Sequence, residues 1–165
     1  MTAEQVIQLL DLKPLPEEGG YYRETYRAVA QNILIQGDAK VQRCLGTCIY
    51  YLLTPDQFSA LHRLRYDEIF HFYAGDPVEM LSLAASGKSE VIHFGSRFDQ
   101  GQKPQHVVSA ETWQGTRLVE GGSWALLGTT MAPGFDFADF DLGLRADLTR
   151  QYPDRADFIR KLTRG

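Results

Sequence analysis

The order of apolar and polar side chains divides the chain into a short helical opening, a long strand-like middle and a helical end. Val6, Leu9 and Leu10 form one apolar stripe behind Thr2, whose spacing to Gln5 is that of a capping box. Residues 3–12 are therefore expected to form a short helix that Pro14 and Pro16 prevent from continuing. From Gly19 to about Met131 turn signals recur, among them Gly19-Gly20, Gly37-Asp38, Pro55-Asp56, Gly75-Asp76 and Gly121-Gly122. The stretches between them are rich in aromatic and β-branched residues and predict strands at 21–28, 41–53, 59–64, 68–73, 78–83, 90–94, 106–109, 114–119 and 124–131. After Pro133-Gly134 the pattern returns to helix. Asp154 is placed to cap a last helix in which Phe158, Ile159 and Leu162 share one face and Arg160, Lys161 and Arg164 suit the negative end of the dipole.

So many short strands in one chain imply an all-β sandwich or barrel. In Thr47-Cys48-Ile49-Tyr50-Tyr51-Leu52-Leu53 both alternating faces are apolar. One face is expected inside the barrel and the other against a second sheet or a second subunit, which predicts a homodimer.

Composition narrows the partners. The chain has 165 residues and reads as a single domain, 1–165, with 17 Lys and Arg against 21 Asp and Glu. That acidic balance is wrong for binding driven by phosphate neutralisation, so no nucleic acid is expected. No apolar run approaches the ~20 residues that cross a bilayer, and Met1-Thr2-Ala3-Glu4-Gln5 lacks the basic and apolar regions of a signal peptide, so no membrane partner and a cytoplasmic location are expected. Cys44 and Cys48, four residues apart on a strand-like stretch, lie beyond disulfide reach of each other and read as small buried hydrophobes.

Of the histidines at 62, 71, 93 and 106, only His62 belongs to a spacing with a physical rationale. In His62-Arg63-Leu64-Arg65-Tyr66-Asp67-Glu68 a strand is followed by a short turn and a returning strand, which brings Glu68 back beside the imidazole if both point to one side. A carboxylate at one ring nitrogen fixes the tautomer and leaves the other free to take a proton, a general-base pair in outline. The alternative is a buried polar pair that only satisfies itself. Strand alternation turns His71 to the opposite face from Glu68, where an interface or surface role is expected. Trp113 and Trp124 read as core or cavity wall, and Asp136 and Asp139 as turn and cap residues.

The spacing His62-x-Leu64-x3-Glu68-x6-Gly75 resembles the first metal-binding motif of the cupins, with Leu64 in the place of the second histidine and Asp56 in that of the first glycine. The second cupin motif is echoed around Ser109 to Gln114, with Gln114 in the place of the last ligand histidine and Leu118 in that of the asparagine. Glu18-Gly19-Gly20-Tyr21-Tyr22-Arg23-Glu24-Thr25-Tyr26-Arg27, Ile49 to Leu53, Asp67 to Asp76, Trp113-Gln114 and Ala132 to Phe140 together resemble the signatures of one cupin branch, cupin type 5, a domain of unknown function.

The resemblance implies a double-stranded β-helix, or jelly roll, a homodimer, and a fold relationship to nucleotide-sugar epimerases that use a His–carboxylate pair and a tyrosine acid. With Leu64 and Gln114 in two ligand positions, no tightly held metal and no other cofactor are expected. The expected site is His62 and Glu68 as the catalytic pair, with Gln114, Arg23, Tyr50 and Arg117 binding a small polar molecule such as a sugar or sugar-nucleotide derivative. Tyr22, Tyr26, Tyr50 and Tyr51 are all open as the acid. A non-catalytic binding or sensing protein and a metal-dependent cupin enzyme are the alternatives.

Overall fold

Two antiparallel sheets face each other in the structure, a computed structural model that describes residues 1–36 and 39–164. The strands are β1 (Lys13–Pro14), β2 (Tyr21–Arg27), β3 (Gln31–Gln36), β4 (Ala39–Cys44), β5 (Thr47–Leu53), β6 (Ser59–Leu64), β7 (Glu68–Gly75), β8 (Val78–Leu83), β9 (Ser89–Phe94), β10 (Gln105–Val108), β11 (Trp113–Leu118), β12 (Ala125–Met131) and β13 (Phe140–Leu142). The helices are α1 (Ala3–Leu9), α2 (Arg145–Gln151) and α3 (Ala156–Lys161). One sheet runs β1-β2-β5-β12-β7-β10 and the other β13-β6-β11-β8-β9, while β3 and β4 form a separate hairpin. This is the jelly roll that the strand pattern and the family resemblance lead one to expect.

Strand alternation sorts side chains into layers. Tyr51 and Leu53 of β5 point inward and join Phe70, Met80, Phe94 and Leu127 between the sheets. Leu52 points outward and packs with Val6 of α1 and Leu12, flanked by Tyr50 and Leu126. The second apolar face of Thr47–Leu53 is thus covered at Leu52 by a helix, where a second sheet or subunit was expected. On the other side of the barrel, Leu148, Tyr152, Ile159 and Leu162 of the C-terminal helices pack on Leu61, Leu81 and Leu83. Each such fully buried aliphatic side chain contributes roughly 1.5–3 kcal/mol of transfer free energy.

Several element ends differ from the sequence expectation for identifiable reasons. The Thr2–Gln5 capping box forms, with the Thr2 amide donating to Gln5 Oε1 at 2.9 Å and the Gln5 amide to Thr2 Oγ1 at 3.3 Å. The helix stops at Leu9 because Asp11 turns left-handed, at φ 51°, and carries Leu12 into the core. The single strand expected over 41–53 is two strands broken at Leu45-Gly46, whose backbone pairs instead with Ala30 and Ala28. Strand β3 was not foreseen, and the turn expected at Gly37-Asp38 lies outside the described residues. Asp154 is not a helix cap: Pro153 opens a 3₁₀ turn, Pro153–Arg155, that contains Asp154, and α3 follows it with no side-chain cap. Cys44 and Cys48 are free thiols, one buried and the other half-buried. None of the described helices is long and apolar enough to cross a membrane.

Candidate functional site

His62 and Glu68 do meet, but not as partners in one hairpin. Strand β6 lies in the five-stranded sheet and β7 in the six-stranded sheet, so the Arg65–Asp67 link turns a corner between them and the two side chains approach across the barrel. The distance from His62 Nε2 to Glu68 Oε2 is 4.0 Å. The corner is held by the Arg65 amide donating to Asp139 O and by Asp67 Oδ1 accepting from the Ala110 amide at 2.8 Å. Gln114 sits directly opposite His62 in the β6–β11 ladder. Its Nε2 donates to Glu68 Oε2 at 2.5 Å, while its Oε1 is buried without a partner.

A fourth residue completes the group. Glu18 Oε2 lies 4.0 Å from His62 Nε2, the same nitrogen that Glu68 approaches, and Glu18 Oε1 accepts from Ser59 Oγ at 2.7 Å. The turn that carries Glu18 needs its glycines: Gly19 and Gly20 have φ of 98° and 73°, and a Cβ on Gly20 would stand 2.7 Å from the Tyr51 ring. A backbone bond from the Ala60 amide to Glu18 O at 2.9 Å and a side-chain bond from the Tyr51 hydroxyl to Gly19 O at 2.9 Å fasten this turn to the barrel. No local spacing links position 18 to position 62. The available signal was an acidic residue beside Gly-Gly within the family signature.

The imidazole is enclosed. His62 is 1% exposed, its Nδ1 donates to Ala60 O at 2.8 Å, and Phe140 stacks on the ring with centroids 5.1 Å apart. Burial works against a charged ring, but Glu18 first and then Glu68 outweigh it, and the bond to Ala60 adds to them, raising the His62 pKa from 6.5 to about 9. The shift favours the imidazolium, and with Nε2 protonated the 3.5 Å approach to Gln114 Nε2 sets two donors side by side, whereas a neutral ring would accept there. Burial also pushes the Glu18 carboxyl up, with His62 pulling it down and Glu68 adding to the rise.

Glu18 and Glu68 line a cavity of about 430 Å³ whose walls include Leu15, Tyr22, Ile49, Leu64 and Met131, with Arg27, Phe135 and Asp136 also on its lining. Of the four tyrosines considered, Tyr22 lines this cavity. Tyr51 is interior but commits its hydroxyl to Gly19, and burial, with Glu18 beside it, holds its pKa well above the usual phenol value. Tyr50 and Tyr26 face outward on the six-stranded sheet, since both share the outer side with Leu52 and Cys48.

Arg23, Tyr50 and Arg117, expected to bind ligand, are not brought to the cavity. Arg23 lies beside Tyr50 across the β2–β5 ladder, with its guanidinium 5.4 Å from the ring centroid on the outer face. Arg117 pairs with Glu79, Nε to Oε1 2.7 Å, and lies over Phe158 on the helix-covered side. His71 is also outward, between Thr130 Oγ1 at 3.0 Å and Gln105 at 3.2 Å.

Fold and site together define a cupin barrel in which two carboxylates of the cavity lining converge on a buried imidazole. The chain belongs to the cupin superfamily family described as DUF985, whose model matches residues 4–143. It is 27% identical over 132 residues to the uncharacterized protein YML079W of Saccharomyces cerevisiae, covering 74% of this chain and 66% of that protein, so it spans just under two thirds of that relative's length. Among solved structures it resembles a hypothetical protein from Leishmania major at 29% identity and TM-score 0.90, covering 100% of both chains. It also resembles protein SO0799 from Shewanella oneidensis at 29% identity and TM-score 0.87, covering 99% of this chain and 98% of that one. Oxalate decarboxylase from Bacillus subtilis shares the fold at 14% identity and TM-score 0.57, over 93% of this chain and 37% of the other.

The donor set does not fit the metal that three-histidine cupin sites hold. Leu64 presents a hydrocarbon wall where a second imidazole would stand, and Gln114 turns its amide nitrogen, a donor without a lone pair to offer, toward Glu68. Among the described residues no three His, Cys, Asp or Glu side chains are grouped so as to hold a metal ion.

Proposed function

We propose that this chain is a small-molecule-binding cupin that works, without metal, as an isomerase- or epimerase-like enzyme on a sugar derivative. The observation that carries the reading is the meeting of Glu18 and Glu68, which line a cavity large enough for a small ligand, at the buried His62 behind it. A floor carboxylate takes the proton from a carbon next to a carbonyl, and Tyr22, which lines the same cavity, returns one at the far side of that carbon. His62 has no open face toward the ligand. It holds the compensating charge and positions both carboxylates, so the pair proposed is His62 and Glu68 with the carboxylate in contact. Two copies of the chain are proposed to pair through the outer face of the six-stranded sheet, where Tyr26, Tyr73 and Val107 are exposed.

A second reading, a non-catalytic binding protein, draws on the same enclosure of His62, because an imidazolium sealed behind two carboxylates also suits a fixed recognition surface. Thermal-shift screening of sugars and sugar derivatives, followed by deuterium exchange from solvent into each hit, separates the two. The enzyme reading expects label in the ligand with the wild type and none with Glu68→Gln. A tight ligand that acquires no label overturns it and leaves the binding protein. Sedimentation velocity tests the pairing, with a dimer expected at micromolar concentration and a monomer contradicting it.

A further inference from the structure

The charge and hydrogen-bonding character of the cavity selects the kind of head group it takes. Its floor offers acceptors: Glu18 and Glu68 both line it, and behind them the buried Gln114 Oε1 is without a donor. Positive charge, in contrast, is spent before a ligand arrives. Arg27 is the one basic side chain among the described residues of the lining, and every edge of its guanidinium is committed. Nε and Nη2 donate to the two oxygens of Glu24 at 2.9 and 2.7 Å, Nη1 and Nη2 donate to Phe135 O at 3.3 Å, and Nη1 donates to Cys44 Sγ at 3.3 Å. The imidazole of His62 has its Nδ1 on Ala60 and its Nε2 between the carboxylates, with 1% of its surface exposed. Asp136 adds a further carboxylate to the lining, its Oδ1 accepting from the Ala138 amide at 2.9 Å and its Oδ2 lying 3.9 Å from Arg43 Nη1.

An anion entering this cavity would leave water for a site whose one cation is already paired and whose free charged groups are carboxylates, with only neutral hydroxyls such as those of Tyr22 and Thr129 to donate, and burying a charge without a charged partner is costly. A head group that brings its own hydrogens meets the opposite situation. We infer that the ligand presents a hydrogen-bond-donating, non-anionic head, an ammonium or a cluster of hydroxyls, to Glu18 and Glu68, with its body against Leu15, Ile49, Leu64 and Met131. This rests on the reading of the cavity as a ligand site and narrows it: a neutral or amino sugar fits, and a nucleotide diphosphate or a dicarboxylate such as oxalate does not enter the floor.

The test uses three molecules with one aromatic body and different heads: phenethylamine, phenethyl alcohol and phenylacetate. Each is titrated at pH 7 into the EDTA-dialysed full chain and followed by amide chemical shifts, in low and high salt. The amine is expected to bind about ten-fold or more tightly than phenylacetate at low salt, with the alcohol between them, and Glu18→Gln is expected to shrink the difference several-fold. Phenylacetate binding as well as the amine, or better, overturns the inference while leaving the cavity a ligand site. Failure of all three to perturb residues around the cavity up to millimolar concentration overturns the ligand-site reading and the inference with it. The wild-type ranking decides without the variant, so a Glu18→Gln protein that folds poorly leaves the test intact.

Discussion

His62 and Glu68 are separated by five residues in the chain yet reach each other from opposite sheets, Nε2 to Oε2 at 4.0 Å. Closing that distance requires a corner, not a hairpin, and the corner is what sets both side chains on the interior of the barrel. With Glu18 at the same distance on a third segment, one imidazolium serves two carboxylates.

Removing the imidazole should strand those carboxylates. His62→Ala is expected to lower the unfolding free energy by about 3–5 kcal/mol at pH 7, the range for breaking a buried ion pair on one side. The loss should be smaller at pH 5, where a carboxyl already pushed up by burial takes a proton more readily. Urea unfolding at the two pH values measures both, and an equal loss at each would contradict the charge argument.

Stability should also fall as the wild type is made alkaline. The folded pKa of His62, about 9, lies above its ordinary 6.5, so its contribution is complete below about pH 6.5 and disappears as the pH rises through 9. The Glu18 shift has the same sign at lower pH, since its folded carboxyl also holds its proton more tightly than the unfolded one. The fall attributable to His62 is at most about 3 kcal/mol. Thermal melts from pH 6 to 10 should show the decline in the wild type and a flatter profile in His62→Ala.

The aromatic segment over the cavity depends on a second, partly buried pair. Asp139 accepts from Arg43 Nε at 2.6 Å and from Nη2 at 3.0 Å, which fixes the 3₁₀ turn Phe137–Asp139 next to Phe140, the residue stacked on His62. Asp139→Ala leaves the half-buried Arg43 guanidinium without this partner and is expected to cost about 2–3 kcal/mol. Hydrogen exchange should rise first at 136–140, and a change spread evenly over the barrel would count against this role.

Much of the barrel could be read from the chain because its strands are bounded by turn residues and alternate cleanly. Glu68, Gln114 and His62 could be named because the motif spacing fixes them. Glu18 could not, since only the folded turn at Gly19-Gly20 brings it across 44 positions to His62. Arg23, Tyr50 and Arg117 illustrate the converse. Strand residues alternate faces, and without the register nothing in the sequence says which face an arginine or tyrosine takes. The break at Leu45-Gly46 was hidden for a similar reason: an unbroken apolar run does not reveal where one strand leaves the sheet and another begins.

The outward placement of those side chains has its own consequence. Arg23→Ala and Arg117→Ala should leave the affinity of any cavity ligand unchanged within about two-fold, because neither group approaches the lining. Isothermal titration of a hit from the screen checks this, and a loss of ten-fold or more would place the binding site elsewhere.

The charge state of one ring decides the account most directly. An NMR titration of the His62 imidazole, with the other three histidines assigned by substitution, should give an apparent pKa of about 9, falling toward 6.5 in Glu18→Gln. A His62 that titrates at or below 6.5 in the wild type, or that ignores the loss of Glu18, would contradict the shared imidazolium at the floor of the barrel.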